Sequence, residues 1–449
     1  MLEQKKKNIH IISIGGSIMH DLAINLKKNG NNISGSDDVI YDPSKSKLKK
    51  NGILPKELGY YKKNISEHID LVITGMHTKK NNIELKEAKE KGIPIQSYPE
   101  YVRTLSENKH RVVIAGSHGK TTVTSMIMHV LKYNNVQFDF LIGAKVKGFN
   151  NNIKISDSPL IIIEGDEYLT SPIDQAPKFL KYDHHLLLLN GIEWDHYNVY
   201  KSYKKYIKQF KSLVEMTPKG GEIIYFDEDD EVKRIIENYN NENTNTKPFS
   251  YENFKVNKNE TVIFDDENKP IKLNIFGKHN MQNLAGAKIV CEQLGIKNKY
   301  FYKAIKSYKL PDKRLEKLHD GEFKIFKDFA HSPSKLNATI NAVQSQYNNN
   351  LLVIYELHSS SSFDVNFLKN YKDTLLKSTF SIIYISENKK CNHLSEKILM
   401  ECFNEKKLAF IENKSHLIDI IKNSKFKNYN KLLMSSGNFD DLDFNILIK

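Results

Sequence analysis

Short, largely apolar runs recur along this chain, most closing on glycine, an acid or a histidine and most followed by residues with helical spacing. Runs that are apolar throughout, rather than alternating, mark strands buried on both faces; alternation with helical segments predicts parallel sheets covered by helices. The first series is Ile9–Ile14, Ile33–Gly35, Leu71–Gly75 and Ile93–Gln96, with helical patterns running to Lys28 and over Ile83–Lys91. The second is Arg111–Ala115, Pro159–Glu164, Leu186–Asn190 and Thr217–Phe226. An Asn/Thr-rich loop (Asn238–Thr246), a hairpin over Thr261–Phe276 turning at Asp265–Lys269, and a helix over Leu284–Leu294 follow. The third series is Phe323–Phe329, Leu351–Leu357, Phe380–Ser386, Leu408–Ile411 and Lys431–Ser435. A polar stretch at Arg103–Lys109 and the break Leu310-Pro311-Asp312 divide these into three α/β blocks, 1–107, 108–310 and 311–449.

The run Arg111–Ala115 leads straight into Gly116-Ser117-His118-Gly119-Lys120-Thr121-Thr122 and then a helical segment. Glycines let backbone N–H groups turn toward phosphate oxygens, a helix start adds its positive end, and Lys120 adds a full charge. Thr121 stands where a phosphate-loop hydroxyl meets Mg²⁺, although Ile114 occupies the place of the usual first glycine. The pattern points to a nucleoside triphosphate; a glycine-rich turn with a chance lysine is the plainer alternative. Pro159–Glu164 ends in Glu164-Gly165-Asp166-Glu167-Tyr168, and Leu186–Asn190 ends in Gly191-Ile192-Glu193-Trp194-Asp195-His196. Ligands of parallel sheets gather at the carboxyl ends of strands, so Lys120, Thr121, Glu164 and His196 are expected around one crevice. Glu164 with Thr121 suits Mg²⁺, and His196 becomes plausible where two ions share a site.

Three weaker signals stay open at this level. Gly15-Gly16-Ser17 followed by Ser36-Asp37-Asp38 opens like a Rossmann unit without its full glycine fingerprint, as a ligand site or as a structural turn. Asn280 and Asn283, three apart at the start of a helix, face an adenine edge or cap the helix. Asp183-His184-His185 hints at zinc, but no partner follows at ligand spacing, and a solvated or packed segment is the expectation.

Composition narrows the class. With 449 residues, 39% hydrophobic and 27% charged, the chain is an ordinary multi-domain globular protein. The net charge of +13 comes from scattered lysines without an aromatic-interleaved basic patch. It therefore favours anionic nucleotides over nucleic acid as partners. Cys291, Cys391 and Cys402 form no C-x-x-C pair, so a reducing cytoplasm is expected. The amino-terminal apolar run is too interrupted for a signal segment, and no run is long enough to span a membrane.

Taken in order, Ala115–Thr122, Glu164–Glu167, Asn190–His196, Gly277–Asn283, Arg314 in DKRLE and Asp328–Pro333 (DFAHSP) resemble the Mur ligase family. These are ATP-dependent, ADP-forming amide-bond ligases of peptidoglycan assembly, and the resemblance covers essentially the whole chain. It implies a Rossmann-like first domain for a UDP-sugar, a P-loop ATPase-like middle domain and a Rossmann-like third domain for the amino acid or peptide. It further implies ATP and Mg²⁺ as cofactors, an acyl-phosphate intermediate and a monomer or weak dimer. Gly116 through Thr122 would cradle the nucleotide, with Lys120 on its phosphates; Thr121, Glu164 and His196 would hold magnesium. Asn280 and Asn283 would face adenine, Arg314 and Asp328 would reach the nucleotide, and His331 would orient the nucleotide or the amine. Gly15, Gly16, Ser17, Ile18, Met19, Ser36 and Asp37 look like the subgroup that handles UDP-N-acetylmuramate. Members of that subgroup add either L-alanine or an L-Ala-γ-D-Glu-diaminopimelate tripeptide. Tyr168, the segment Gly75-Met76-His77-Thr78 and Lys178-Phe179 look closer to the peptide-adding members. Two departures stand out: Gly165 replaces the usual alanine, and Glu356-Leu357-His358-Ser359 lacks the arginine that peptide-adding members carry there. A histidine makes no bidentate clamp on a carboxylate, which bears on the incoming peptide. Lys208 and Lys211 lie where related ligases carry a carbamylated lysine, without a clear match. The competing readings are a folylpolyglutamate synthetase, a non-catalytic nucleotide-binding regulator of wall synthesis, and a dinucleotide dehydrogenase. The first lacks a UDP-sugar domain, the second does not need the retained Lys120, Thr121, Glu164 and His196, and the third leaves the central loop unexplained.

Overall fold

The computed structural model describes residues 6–239, 241–389 and 393–447, with nothing on the side chain of residue 360. The apolar runs become strands of four sheets. In the first, β1 (Asn8–Ile12), β2 (Asn32–Ser36), β3 (Leu71–Thr74) and β4 (Ile95–Ser97) lie in the order β2-β1-β3-β4, all parallel. The second holds β5 (His110–Ala115), β6 (Asp139–Leu141), β7 (Ile153–Lys154), β8 (Leu160–Glu164), β9 (Leu186–Leu189), β10 (Glu222–Phe226) and β11 (Asn245–Phe249). Its order is β11-β10-β9-β5-β8-β6-β7, parallel except for β7. A small antiparallel sheet contains β12 (Phe254–Asn257), β13 (Glu260–Phe264) and β14 (Pro270–Leu273). The fourth holds β15 (Glu316–Asp320), β16 (Lys324–Asp328), β17 (Leu351–Glu356), β18 (Phe380–Tyr384), β19 (Leu408–Ile411) and β20 (Asn430–Met434). Its order is β15-β16-β20-β17-β18-β19, parallel except for β15. The mixed α/β class expected from the pattern is the one observed.

The chain divides into two compact units. One contains Met1–Gly116, Val123–Gly191 and Ile207–Phe249, and with them the first two sheets. The other contains Ser117–Thr122, Ile192–Tyr206 and Ser250–Lys449, and with them the last two.

In the fourth sheet, successive residues serve opposite cores. Val353, Tyr355 and Leu432 belong to the apolar cluster on one face, Leu352, Ile354 and Leu433 to that on the other. The pleat sends neighbours to opposite faces, so a strand covered on both sides must be apolar throughout. That is why these runs were legible.

The elements that escaped the pattern are short, polar or marginal. Strand β11 begins inside the Asn/Thr-rich loop and is mostly exposed. Strand β12 is mostly exposed and carries a lysine, and the half-exposed edge strand β15 carries glutamate, lysine and aspartate. The polar stretch expected as a boundary is partly the helix Tyr98–Leu105, begun by a capping box of Ser97 and Glu100. The run from Thr217 is a strand only from Glu222, because Pro218–Gly221 forms a turn closed by the Gly221 N–H on the Pro218 carbonyl at 2.8 Å. A Cβ on Gly221 would lie 2.7 Å from Thr217 Cγ2 and 2.9 Å from the Pro218 oxygen. Cys291 and Cys402 are free and buried; Cys391 lies outside the described residues. No helix of the described residues is long and apolar enough to cross a membrane.

The Asp183–His185 segment is packed, as expected. His184 is fully buried with Nε2 2.8 Å from Thr217 Oγ1, and His185 Nδ1 accepts the Arg111 N–H at 3.0 Å. Burial, then His185 and Arg111, push the His184 imidazole down to about 4. An unfolded chain therefore takes up that proton first, and the stability held above the ordinary histidine pKa drains away as pH falls toward the folded value. Thermal unfolding followed from about pH 7 to about pH 4 is expected to show His184 contributing a loss approaching 1.4 kcal/mol per pH unit. His184→Asn, less stable at neutral pH, should show a shallower fall over the same window.

Candidate active site

Strand β5 lies between β8 and β9, and all three run in parallel. Register pairs Ile114 with Glu164 and Ala115 with Leu189, so the three strands end at one edge of the sheet. Gly116 leaves β5 with φ +133°, and a Cβ there would sit 3.0 Å from the Gly191 oxygen and 3.2 Å from the Asn190 nitrogen. Only glycine satisfies both the dihedral and the close approach of the β9 exit. A Cβ at Gly165 would lie 2.8 Å from Val113 Cγ1, so a larger residue fits there only if Val113 shifts. The Glu164 carboxylate accepts the Gly143 N–H at 2.8 Å. Beyond it, Asp166 pairs with Lys178 at 2.5 Å, and the Lys178 ammonium stands 5.5 Å from the Tyr168 ring centroid. Tyr168 and Lys178, grouped from the sequence, thus meet at the base of a loop closed by the Leu169–Pro177 bridge.

In the second unit, Gly119 has φ +72° and the helix Lys120–Tyr133 starts directly after it. Thr121 and Thr122 are buried at its first turn. The Ser117 hydroxyl bonds Tyr206 at 2.8 Å and accepts the Glu193 N–H at 2.9 Å, holding the loop against the segment that carries His196. His118 Nε2 lies 2.9 Å from the Ser334 hydroxyl. His196 adopts the left-handed φ of +53°; its N–H bonds the Asp195 carboxylate at 2.7 Å, and its carbonyl accepts from Val199 and Tyr200. The buried Asp195 carboxylate also meets Lys335 at 2.5 Å. Burial works to raise the Asp195 carboxyl, and Lys335, His196 and His331 outweigh it, holding it well below the usual carboxylate range. Burial and then Lys335 push His118 down to about 3 and His331 to about 4, so both imidazoles are neutral at pH 7.

Around the third block's strand ends, Asp328 accepts the Ala330 N–H at 2.7 Å and the Leu315 N–H at 2.5 Å. Burial raises its carboxyl, opposed first by Arg314. The Arg314 guanidinium lies 4.7 Å from the Phe329 ring centroid, and both its neighbours, Lys313 and Leu315, have positive φ. His331 is anchored by its carbonyl, which accepts Tyr371 at 2.7 Å and Tyr355 at 3.1 Å. Asn280 and Asn283 are buried in the helix Lys278–Gln293; Asn280 Nδ2 donates to the Phe276 carbonyl at 2.8 Å. Asn283 Nδ2 lies 3.4 Å from Asn280 Oδ1. His358 lies over Gly437 with Nδ1 3.5 Å from the Ser436 hydroxyl.

At the first sheet, the Gly15 N–H bonds Asp37 at 2.7 Å, tying the β1 turn to the β2 exit. Tyr60 bonds Asp37 at 3.3 Å and Ser13 at 3.2 Å, and burial first pushes its phenol up to about 12. Ser13 also touches the buried Thr78 at 3.4 Å, while His77 is exposed. Gly16 and Ile18 are half-buried, Ser17 is exposed and Met19 is buried. The Ser36 hydroxyl is spent on the buried Glu84, which also faces His10. Sequence reasoning passed over Tyr60, Glu84 and Lys335, since each acts across more than twenty residues and none lies in a motif.

The profile described as Mur ligase family, catalytic domain, matches residues 8–110, and that described as Mur ligase middle domain matches 114–291. A UDP-N-acetylmuramate–L-alanine ligase of Dictyoglomus turgidum is 30% identical over 363 residues, 78% of this chain and 76% of that protein. The chain belongs to the Mur ligase family. A UDP-N-acetylmuramate–L-alanyl-γ-D-glutamyl-meso-2,6-diaminoheptandioate ligase of Haemophilus influenzae is 28% identical over 79% of this chain and 80% of that protein. Among solved structures, a UDP-N-acetylmuramate–alanine ligase of Thermotoga maritima superposes with TM-score 0.72 at 21% identity, covering 97% of each chain, a likeness of fold.

The loop residues suit a polyphosphate: two left-handed glycines, a helix start, a lysine and buried threonine hydroxyls. Gly116→Ala is expected to lower unfolding free energy by about 1–3 kcal/mol and to weaken ATP binding. Gly30→Ala is the control: its φ is +91° with nothing within 4 Å of a new Cβ. It should cost about 1 kcal/mol and leave ATP binding intact. Denaturant titration and calorimetry read both.

Proposed function

We propose that this ligase joins the lactyl carboxylate of UDP-N-acetylmuramate to a peptide of the L-Ala-γ-D-Glu-diaminopimelate type, with ATP hydrolysed to ADP. The observation that carries the reading is the β5 exit. Gly116, at a backbone position that accepts only glycine, turns the chain into a loop that presents Lys120 and two threonines at the start of a helix. Phosphoryl transfer depends on positioning and charge neutralisation, and these groups supply both. Lys120 neutralises the β- and γ-phosphates, and backbone N–H groups of Gly116 through Thr122 hold them. Thr121 and Glu164, as oxygen donors, would hold one Mg²⁺, and His196 would hold a second. Bound magnesium would screen charge on the phosphates and the acyl phosphate.

The remaining roles follow the same reading. Asn280 and Asn283 face the adenine, Arg314 and Asp328 reach the nucleotide, and the neutral His331 orients the amine or the nucleotide. Gly15, Gly16, Ser17, Ile18, Met19, Asp37, His77 and Thr78 belong to the UDP-sugar region in residues 1–107, with Ser36 supporting it through Glu84. The middle block is 108–310, and the amine enters through 311–449. Tyr168, braced by Lys178, favours the peptide, as does the Haemophilus influenzae relative's substrate. L-Alanine is the second reading, favoured by the name of the Dictyoglomus turgidum relative. A cytoplasmic protein is in keeping with both.

Phosphate release with ATP, Mg²⁺ and UDP-N-acetylmuramate, supplied in parallel with tripeptide and with L-alanine, tests the assignment. Tripeptide should give the higher kcat/KM; equal or better turnover with L-alanine moves the chain to the second reading. Lys120→Ala should lower kcat by at least about a thousandfold. An active Lys120→Ala protein refutes the role of the loop.

A further inference from the structure

We propose that Lys335 is a positioning residue for the ligation: together with Ser334 it fixes the phosphate loop and, through Asp195, the backbone that presents His196. The inference rests on the ligase reading above. Lys335 and Ser334 occupy the first turn of the helix Pro333–Tyr347 and touch two separate loops. Ser334 meets His118 at a distance of 216 residues along the chain, and Lys335 meets Asp195 at 140.

Asp195 is only 6% exposed, and a carboxylate that deep demands a partner. Its two oxygens divide their work: one takes the ammonium of Lys335 and the other takes the N–H of His196. His196 has a left-handed backbone, costly for a residue with a Cβ and kept only where the surroundings impose it. Here the Asp195 carboxylate holds the N–H, and Val199 and Tyr200 hold the carbonyl at 2.8 and 2.9 Å. Without the Lys335 charge, Asp195 is a buried anion that must turn elsewhere, and the restraint on His196 goes with it. The same segment is gripped a second time by Tyr197, whose ring lies 4.9 Å from Phe367 and 5.3 Å from Trp194. Trp194, whose indole N–H bonds the Tyr200 carbonyl at 3.0 Å, is the sole tryptophan of the chain and reports on this segment by itself.

Lys335→Met, Lys335→Arg, Asp195→Asn and the Lys335→Met/Asp195→Asn pair are compared by Trp194 emission without substrates and by steady-state phosphate release. Lys335→Met should shift the emission and lower kcat by about a hundredfold, with KM for UDP-N-acetylmuramate changed less than about twofold. Lys335→Arg should restore both readouts, and the double variant should be no worse than its more damaging single parent. Unchanged emission with wild-type kcat in Lys335→Met overturns the inference. So does a loss that spreads equally to KM and melting temperature and is not rescued by arginine. Should Lys335→Met fail to fold, Lys335→Gln, which keeps a donor for Asp195 but no charge, is read against the same two outcomes. A wild-type protein that releases no phosphate refutes the ligase reading alone, since the emission comparison needs no substrate and still decides whether Lys335 governs the Trp194–His196 segment.

Discussion

Everything in the site depends on the hydrogen-bond ladder that holds β5 between β8 and β9. Parallel ladders are evenly spaced, so once Ile114 is opposite Glu164 and Ala115 opposite Leu189, three chain exits emerge together. A slip of one residue would turn every side chain to the other face, and strands apolar on both faces resist that less than an amphipathic strand would. In the observed register Gly116 packs against Asn190 and Gly191, and Gly165 against Val113 and Ile114, too closely for a Cβ at either position.

Burial then sets the charge states. His118 and His331 lie beside the Lys335 ammonium and are neutral, while Asp195 is ionised by the same neighbour. Burial thus keeps the two imidazoles unprotonated, with Lys335 adding to it, and the same lysine keeps the carboxylate charged against burial. Neutral imidazoles act as acceptors or donors toward polar partners, as His118 does toward Ser334. Elsewhere the same logic serves stability: His184 is deprotonated by burial against Thr217, far from any proposed chemistry.

The first sheet illustrates how a motif residue can work indirectly. Asp37, read from the sequence as facing a sugar or base edge, also closes the β1 turn by accepting the Gly15 N–H. Ser36, read alongside it, turns into the protein to meet Glu84, which in turn takes the Tyr61 N–H and Asn64. The turn that would approach a UDP-sugar is therefore built by residues spread over some seventy positions of chain. Side-chain oxygens satisfying backbone donors are the usual means of ordering such turns.

What the amino-acid sequence determined by itself was local: the doubly buried strands, the glycine-rich turn after β5, the helical run from Val123 (which the structure begins three residues earlier, at Lys120) and the residues closing β8 and β9. Each is a matter of side-chain periodicity or backbone freedom within a few residues, and both are written in residue type. Strands β11, β12 and β15 were missed because a polar, half-exposed edge strand has no period to read, and the helix Tyr98–Leu105 because its charged face resembled a linker. Only the tertiary structure decided that Lys335 serves Asp195, that Tyr60 serves Asp37 and that Ser36 serves Glu84. Such partners are chosen by burial, where a charge or hydroxyl stripped of water must find whatever donor or acceptor the packed chain brings within reach, and no spacing along the sequence records that choice.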